Sequence, residues 1–205
     1  MDEKIRVVAF IDGFNIYHSI DDLEINDHLK WLDIWKMCDS ITNNREELKN
    51  VYYFTAETYW NREKKGRHTV YMKALEHTGV SIIKGRFTKM TKRDINSGRD
   101  VQIYEEKETD INIALQMISG AVEDEYDQAI LVTADSDQVP TVKLLRDSFG
   151  KEVKLLKPIG RKADELKKHS TFFERINLEL LENSQLPDTI KIGNSTITRP
   201  DKYKK

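Results

Sequence analysis

Residues 7–17 read VVAFIDGFNIY, and this stretch decides how the rest of the chain is interpreted. Its first five residues are all apolar, with no alternation of polar side chains. Such a run is typical of a strand buried on both faces of a parallel sheet. Asp12 follows at the carboxyl end of this strand, and Asn15 stands at the start of a helical pattern. Because ligands bind at the carboxyl ends of strands in open α/β sheets, both residues are placed for chemistry.

The same two residues have a simpler interpretation. Asp, Gly and Asn are the residues that turns prefer, and an Asp in front of a helix is a common N-cap. On that interpretation, Asp12 and Asn15 only shape the turn from strand to helix. The stretch taken alone leaves both alternatives open.

A second stretch of the same design favours a chemical role. Residues 129–140 read AILVTADSDQVP, an apolar strand followed by acids and a helix start with Pro140 in its first turn. If the two strands are neighbours, Asp135 and Asp137 lie beside Asp12, and the carboxylates repel one another. A hard divalent cation is the usual partner of such acids, because Mg²⁺ takes one or two carboxylates and keeps waters for substrate phosphates.

Three blocks of the sequence together resemble the NYN domain, the LabA-like branch of the PIN-like nucleases. They are FIDGFNIYH from residue 10, EKETDINIALQMI from residue 106 and AILVTADSDQVPTVKLLRDSFGKEV from residue 129. The resemblance runs from about Val7 to about Pro158. It implies an α/β fold with a Rossmann-like, PIN-like parallel sheet of about five strands flanked by helices. It also implies a metal-dependent endoribonuclease that hydrolyses RNA phosphodiester bonds with Mg²⁺ or Mn²⁺.

The resemblance further implies the residues of the active site. The metal ligands are the acid of the first strand, the acid that opens the middle helix and the pair after the fourth strand: Asp12, Asp110, Asp135 and Asp137. Asn15, the asparagine partner of the first acid, completes the catalytic set and would orient water or a phosphate oxygen. Glu106 falls where the family often has glutamate and is a secondary candidate.

One position departs from the family pattern. The family often has another Asp two turns into the middle helix, and this chain has Gln116 there. The substitution removes a charge, which weakens a second metal site or the activity itself. Alternatively, that acid is peripheral in the family, and the sequence does not choose between the two.

The remaining pattern alternates strands and helices, which predicts a parallel sheet with right-handed crossovers. The predicted strands are 7–11, 51–56, 80–83, 129–132 and 152–157, with a returning strand at 101–104. The predicted helices are 15–25, one that ends at Gly79, 110–123 capped by Thr109, one that ends at Gly150, and 163–169. Residues 1–160 are expected to form the NYN/PIN-like domain, and residues 161–205 an extension that packs on it and ends in a basic tail.

Two segments combine side chains that suit single-stranded RNA, which requires base stacking and phosphate neutralisation. The first, at residues 58–68, supplies Tyr59, Trp60, Arg62, Lys65 and Arg67. The second, a predicted hairpin or loop at residues 84–99, supplies Lys84, Arg86, Lys89, Lys92 and Arg93. The alternatives are a solvated helix start and a solvated basic loop. His18 is likewise more typical of a surface residue than of a substrate contact.

Composition indicates one globular domain. The chain has 205 residues, 39% hydrophobic and 33% charged, with a net charge of −2. That charge does not suit a protein that coats nucleic acid, but it is compatible with a nuclease whose site is itself acidic. The five apolar residues after MDEKIR are too few for a signal peptide, and no stretch could span a bilayer, so a cytoplasmic protein without a membrane partner is expected.

The lone Cys38 excludes an internal disulfide, and a buried helical position is expected for it.

Other functions fit less well. A phosphohydrolase of the haloacid dehalogenase type requires Asp-x-Asp after the first strand, whereas Asp12 is followed by Gly13 and Phe14. No GxGxxG or GxxxxGK[ST] pattern follows a strand, which argues against a nucleotide cofactor. An RNA-binding or scaffold module with little or no catalysis remains the main alternative because of Gln116. Single-stranded RNA is the expected partner, and a homodimer is left open.

Overall fold

The computed structural model describes residues 3–24, 27–93 and 98–205. The strands of the central sheet are β1 (Ile5–Asp12), β2 (Glu46–Thr55), β3 (Ser81–Lys84), β6 (Gln128–Val132), β7 (Glu152–Lys157) and β8 (Phe172–Arg175). Within the described residues these six strands are all parallel, in the order β3, β2, β1, β6, β7, β8. The α/β class predicted from the sequence is therefore confirmed.

Helices cover both faces of this sheet. They are α1 (Gly13–Asp21), α2 (Ile34–Asp39), α3 (Arg62–His77), α4 (Thr109–Val122), α5 (Val139–Phe149), α6 (Asp164–His169) and α7 (Leu178–Asn183). Alternate residues of β1 enter the two cores: Ile11 packs in the core with α1, α2, α3 and α7, and Phe10 in the core with α4, α5 and α6. This two-sided burial explains why the strand sequence is continuously apolar. Cys38 is buried within α2, as expected.

The chain reverses its direction of winding at β1. It passes from β1 to β2 on one side and later returns to place β6 on the other, with Ile11 opposite Val132. A crevice opens at the carboxyl ends of the strands at such a switch point, because the two crossover connections leave in opposite directions. Asp12 is the last residue of β1, and Asp135 and Asp137 follow β6.

A separate antiparallel hairpin stands beside the sheet. β4 (Arg86–Arg93) pairs with β5 (Asp100–Lys107) over the full length of both strands. The sequence predicted a hairpin or loop at 84–99 and a returning strand only at 101–104, so the second strand is longer than expected. Residues 94–97 of that prediction lie outside the described residues. A further hairpin, β9 (Thr189–Ile192) with β10 (Ser195–Thr198), lies near the C-terminus.

Two predicted helix starts are wrong. α1 begins at Gly13 rather than Asn15, and its predicted last residue lies outside the described residues. Thr109 was predicted to cap the middle helix, but it is the first residue of α4 and both its N–H and its hydroxyl donate to the Glu106 carboxylate. The acceptor for the helix start therefore comes from β5, which sequence spacing does not reveal.

The apolar spacing of the middle helix predicts an inner face made of Ala114, Met117, Ile118, Ala121 and Val122, and this prediction is partly wrong. Met117 and Ala121 are buried as expected, but Val122 is 65% exposed and Ile113 is fully buried. Residues 117 and 121 lie one turn apart, and Ile113 lies one turn before them, so these three share one helix face. Val122 is rotated about 100° from that face.

The segment after residue 160 contributes to the sheet and to its core. β8 was not predicted, because this edge strand has only four residues, two of them charged, and Phe172 is 44% exposed. Leu181 is fully buried in the core with α2, and the Trp31 indole donates to the Pro187 carbonyl at 3.0 Å. The sequence boundary at residue 160 stays a prediction.

We expect Gly13→Ala to destabilise the protein, because a Cβ at this position would lie 2.5 Å from the Phe54 carbonyl oxygen and 2.6 Å from the Tyr53 ring. The cost should reach about 1–3 kcal/mol, as for other overpacked sites. Gly66→Ala is the matched control, since nothing lies within 4 Å of its added Cβ in α3. It should stabilise by about 0.5–1 kcal/mol. Urea unfolding of both variants checks the pair, and equal effects would contradict the packing argument.

Candidate active site

Asp12 is the most deeply buried carboxylate of the site. Its side chain is held by the Asn15 backbone N–H at 2.9 Å, the Thr133 hydroxyl at 2.9 Å and the Asn15 side chain. Burial raises the pKa of Asp12, and these hydrogen bonds only partly oppose the shift. The capping interpretation is correct in part, since Asp12 is the N-cap of α1. One Asp12 oxygen nevertheless bonds across the sheet to the end of β6.

The loop after β6 is organised by a chain of hydrogen bonds. The Asn15 side-chain oxygen accepts from the Ala134 N–H at 3.2 Å, which ties this loop to α1. The Thr133 hydroxyl accepts from the Asp135 N–H at 3.1 Å. Asp135 in turn accepts from the Asp137 N–H at 2.9 Å, which caps the short turn of 3₁₀ helix before α5. The position of Asp135 is thereby coupled to that of Asp12.

Asp110 enters the same site from the first turn of α4. Burial, followed by the charges of Asp12, Asp135, Glu106 and Asp137, raises the pKa of Asp110 to about 6. These groups act on one carboxyl because they lie close together. The structure therefore brings together the acids that the sequence singled out, including the secondary candidate.

A pocket of about 510 Å³ lies at this switch point. Asp12, Asp110, Asp135 and Glu106 line it, together with Asn15. Two basic residues that the sequence analysis did not select, Arg161 and Lys162, also line it. Arg161 is paired with Asp22 at 2.7 Å.

The donor chemistry of this pocket fits a hard divalent cation. Among the described residues, no ion pair includes Asp12, Asp110, Asp135 or Asp137, so no lysine or arginine pairs directly with these carboxylates there. In the same residues, no three acidic, histidine or cysteine side chains are arranged to share one ion. Mg²⁺ needs only one or two protein carboxylates and completes its shell with water and phosphate, so this arrangement is compatible with it.

The comparisons with known proteins agree with this fold. A profile of the NYN domain matches residues 6–177. The chain belongs to the NYN domain family. It is 23% identical to 6-hydroxy-3-succinoylpyridine 3-monooxygenase HspA from Pseudomonas putida, in an alignment that covers 98% of this chain and 76% of that protein. A solved structure from Vibrio parahaemolyticus, of unknown function, covers 87% of this chain and 97% of its own with a TM-score of 0.58 and 16% identity, which shows the fold alone.

The predicted RNA-binding residues of this NYN protein divide into two groups. Trp60 lies against the β4–β5 hairpin, with its ring 3.7 Å from that of Tyr104, and Tyr59 is 54% exposed beside it. The basic side chains Lys89, Lys92 and Arg93 are exposed along β4, and Arg62 and Lys65 are exposed at the start of α3. Four basic side chains of the predicted set are engaged with acids: Lys65 and Lys84 with Glu57, Arg86 with Glu108 and Arg67 with Glu63. Their binding roles stay predictions.

Several residues near the acids escaped the sequence analysis. Phe14 and Phe87 contact each other edge to face at 5.6 Å, and Phe87 meets Trp60 at 4.8 Å. Phe14 stood in the quoted motif FIDGFNIY but was not selected, while Phe87 and Tyr104 lie on a hairpin whose position no local pattern gives. Gln116, by contrast, hydrogen-bonds the Tyr52 side chain and is not among the residues that line the acidic pocket.

No helix in the described ranges combines the length and apolar character that a membrane crossing requires. The expected compartment stays a prediction.

We expect Asp110→Asn to raise the melting temperature at pH 7.5 in EDTA, because it removes one of several repelling charges. In the folded protein the pKa of Asp110 is about 6, whereas an Asp in the unfolded chain has its ordinary pKa of 3.8. Between these values the folded state binds more protons, so the free energy of unfolding falls as pH rises. The gain should be a few degrees, at about 2–4 °C per kcal/mol, and should vanish below pH 4.

Thermal unfolding monitored by circular dichroism from pH 3.5 to 8 measures this difference. Asp147→Asn, an exposed position on α5, is the control and should show no such gain. A destabilised Asp110→Asn variant at pH 7.5 would contradict the repulsion argument.

Proposed function

We propose that this NYN protein is a metal-dependent endoribonuclease. The observation that supports the proposal is the convergence of Asp12, Asp110 and Asp135 on one pocket, where none of them forms an ion pair with a lysine or arginine among the described residues. Maintaining such charges costs stability, so a purely structural role does not account for them. Membership of the NYN family, in the PIN-like superfamily that the sequence resembles, supports hydrolysis of a phosphodiester bond.

Among Asp12, Asp110 and Asp135, one or two carboxylates would bind Mg²⁺ or Mn²⁺ directly, and the others, with Asp137, would hold its bound waters. Once bound, the metal would activate water and stabilise charge on the phosphate and leaving oxygen. Asn15 acts as a positioning residue, since it bonds both Asp12 and the Ala134 N–H. At neutral pH the raised pKa of Asp110 still leaves this carboxyl largely ionised and able to accept a hydrogen bond from water.

Cleavage of end-labelled single-stranded RNA with Mg²⁺ or Mn²⁺ tests the proposal. Asp135→Asn should lower the rate by at least about a hundredfold, because a neutral amide is a poor ligand for a hard cation. Asp12→Asn should do the same, and Asp147→Asn should leave the rate unchanged. EDTA should stop cleavage by the wild type. Equal cleavage by wild type and Asp135→Asn, after both pass the same purification, would refute the proposal.

The main alternative is an RNA-binding or scaffold module that has kept the fold without efficient catalysis. This alternative rests on Gln116, which stands where the family often has Asp. Gln116 does not line the acidic pocket, so this departure from the family pattern removes none of the carboxylates that do line it. Binding of RNA without cleavage in any metal, by a folded protein, would favour this alternative.

Hydroxylation of a small aromatic ring is a second candidate. It is favoured by the name of the Pseudomonas putida relative and by an aromatic cavity beside the acids. A monooxygenase consumes O₂ and two electrons from a reductant, so oxygen uptake with 6-hydroxy-3-succinoylpyridine, NADH and free flavin measures it. Uptake that requires the pyridine and persists in Asp135→Asn would favour this reaction over the nuclease.

Four finer assignments belong with the proposal. The three motif blocks support the LabA-like branch of the family. Single-stranded RNA is the proposed partner because aromatic and basic residues lie together near the acids. A homodimer and a cytoplasmic location stay predictions.

A further inference from the structure

A second cavity, of about 440 Å³, lies next to the acidic pocket. Phe14, His18 and Glu106 line both, so the two spaces share one wall. Its volume falls within the range of about 300–1,000 Å³ that is typical of small-molecule sites. A ligand with two chemically different ends could therefore reach both.

The cavity is walled by aromatic rings from three parts of the chain. Trp60, ahead of α3, stacks on Tyr104 of β5 with an angle of 9° between the rings. Phe87 of β4 meets both Trp60 and Phe14 edge to face. Trp60 remains 40% exposed, which leaves part of its ring open to a ligand. Rings assembled in this way favour a planar aromatic ligand, since offset and edge contacts with such a ligand are both available.

Polar groups on the cavity wall would recognise the edge of that ligand. Thr58 is only 5% exposed, and its hydroxyl has no hydrogen-bond partner among the described residues. The oxygen is shielded from water, and a change of rotamer about Cα–Cβ would turn it to a ligand. Burial lowers the pKa of His68 to about 4, so at neutral pH its ring is uncharged and carries one donor and one acceptor. The His68 Nε2 already pairs with the Thr55 hydroxyl at 3.1 Å.

Basic side chains at the same cavity suit an anionic ligand. Lys64 and Lys30 both line it, and each ammonium lies just over 5 Å from the Tyr17 ring, at 5.3 and 5.2 Å. Lys30 is neutralised by Asp21 and Asp27. Lys64 forms no ion pair within the described residues and can meet a phosphate.

We propose that this cavity binds the base of the nucleotide adjoining the cleaved phosphate. This inference rests on the proposed nuclease function, since it is the acidic pocket that would hold the phosphate. A base paired in a duplex cannot enter such a cavity, so the site selects unpaired RNA and imposes a base preference at the cut. Stacking on aromatic side chains supplies the affinity, and the polar wall supplies the preference.

Binding of the four nucleoside 5′-monophosphates in EDTA, followed by tryptophan fluorescence and calorimetry, tests the cavity without catalysis. The wild type should bind at least one of them saturably. Trp60→Leu should remove the fluorescence change. It should also weaken binding about tenfold or more, which is the affinity that one base–aromatic stacking contact supplies. Thr58→Val should weaken it about fivefold to tenfold without lowering the melting temperature, because the hydroxyl is unpaired in the free protein.

Two matched variants separate the cavity from general surface stacking. Phe172→Leu removes an exposed ring on β8 that does not line the cavity, and should change binding less than about twofold. Trp35→Phe should preserve the fluorescence response, since Trp35 packs against the core with α2 and not at the cavity. An equal loss in Phe172→Leu and Trp60→Leu would overturn the assignment to the cavity. Equal binding of inorganic phosphate alone would overturn the role of the base.

The outcome for the cavity is distinguishable from the outcome for the nuclease. Base binding that depends on Trp60 and Thr58, in a protein that cleaves no RNA, supports the cavity site and refutes the nuclease. Metal-dependent cleavage whose base preference is the same in wild type, Thr58→Val and Trp60→Leu refutes the cavity site and leaves the nuclease standing. Binding of a free hydroxypyridine but of no nucleotide would refute a nucleobase as the occupant.

Discussion

A buried carboxylate at the switch point of the sheet is the constraint on which the site depends. Asp12 would be costly at this depth without partners, and three hydrogen bonds offset part of that cost. Its partner Thr133 directly follows β6, so the same bonds hold the carboxyl ends of β1 and β6 in fixed relation. The loop that carries Asp135 is then anchored through Thr133 and through Asn15.

The repulsion among the acids is tolerated because the surrounding scaffold is strong. β1 is covered on both faces by fully buried apolar residues, and each face has its own core. Hydrophobic burial of this extent stabilises by far more than a few unfavourable charges cost. A cluster that weakens the free protein therefore persists, and a bound cation would relieve the repulsion.

The sequence predicted those parts of the fold that local patterns determine. Continuous apolar runs gave β1 and β6, and the acids that follow them meet as expected, since carboxyl ends of parallel strands lie at one edge. β8 was missed because a short edge strand carries no such run. Phe87 and Arg161 were missed because their approach to the site depends on a hairpin and on a C-terminal segment, and long-range packing of this kind leaves no local signal. Thr58 was missed because an unpaired hydroxyl is visible only once its neighbours are known.

The first turns of α1 connect the two halves of the site. Asp12 caps this helix and faces the acidic pocket, while Phe14 and His18, one turn apart and stacked, line both that pocket and the aromatic cavity. Because Gly13 has no side chain, α1 can start in direct contact with Tyr53 and the Phe54 carbonyl. This contact sets how far Asp12, Phe14 and His18 lie from the sheet. Because one rigid helix start sets both spaces, the distance between a phosphate at the acids and a ring in the cavity is set by the backbone. A ligand that fits this distance gains from preorganisation, and one that does not must strain the helix or give up one of the two contacts.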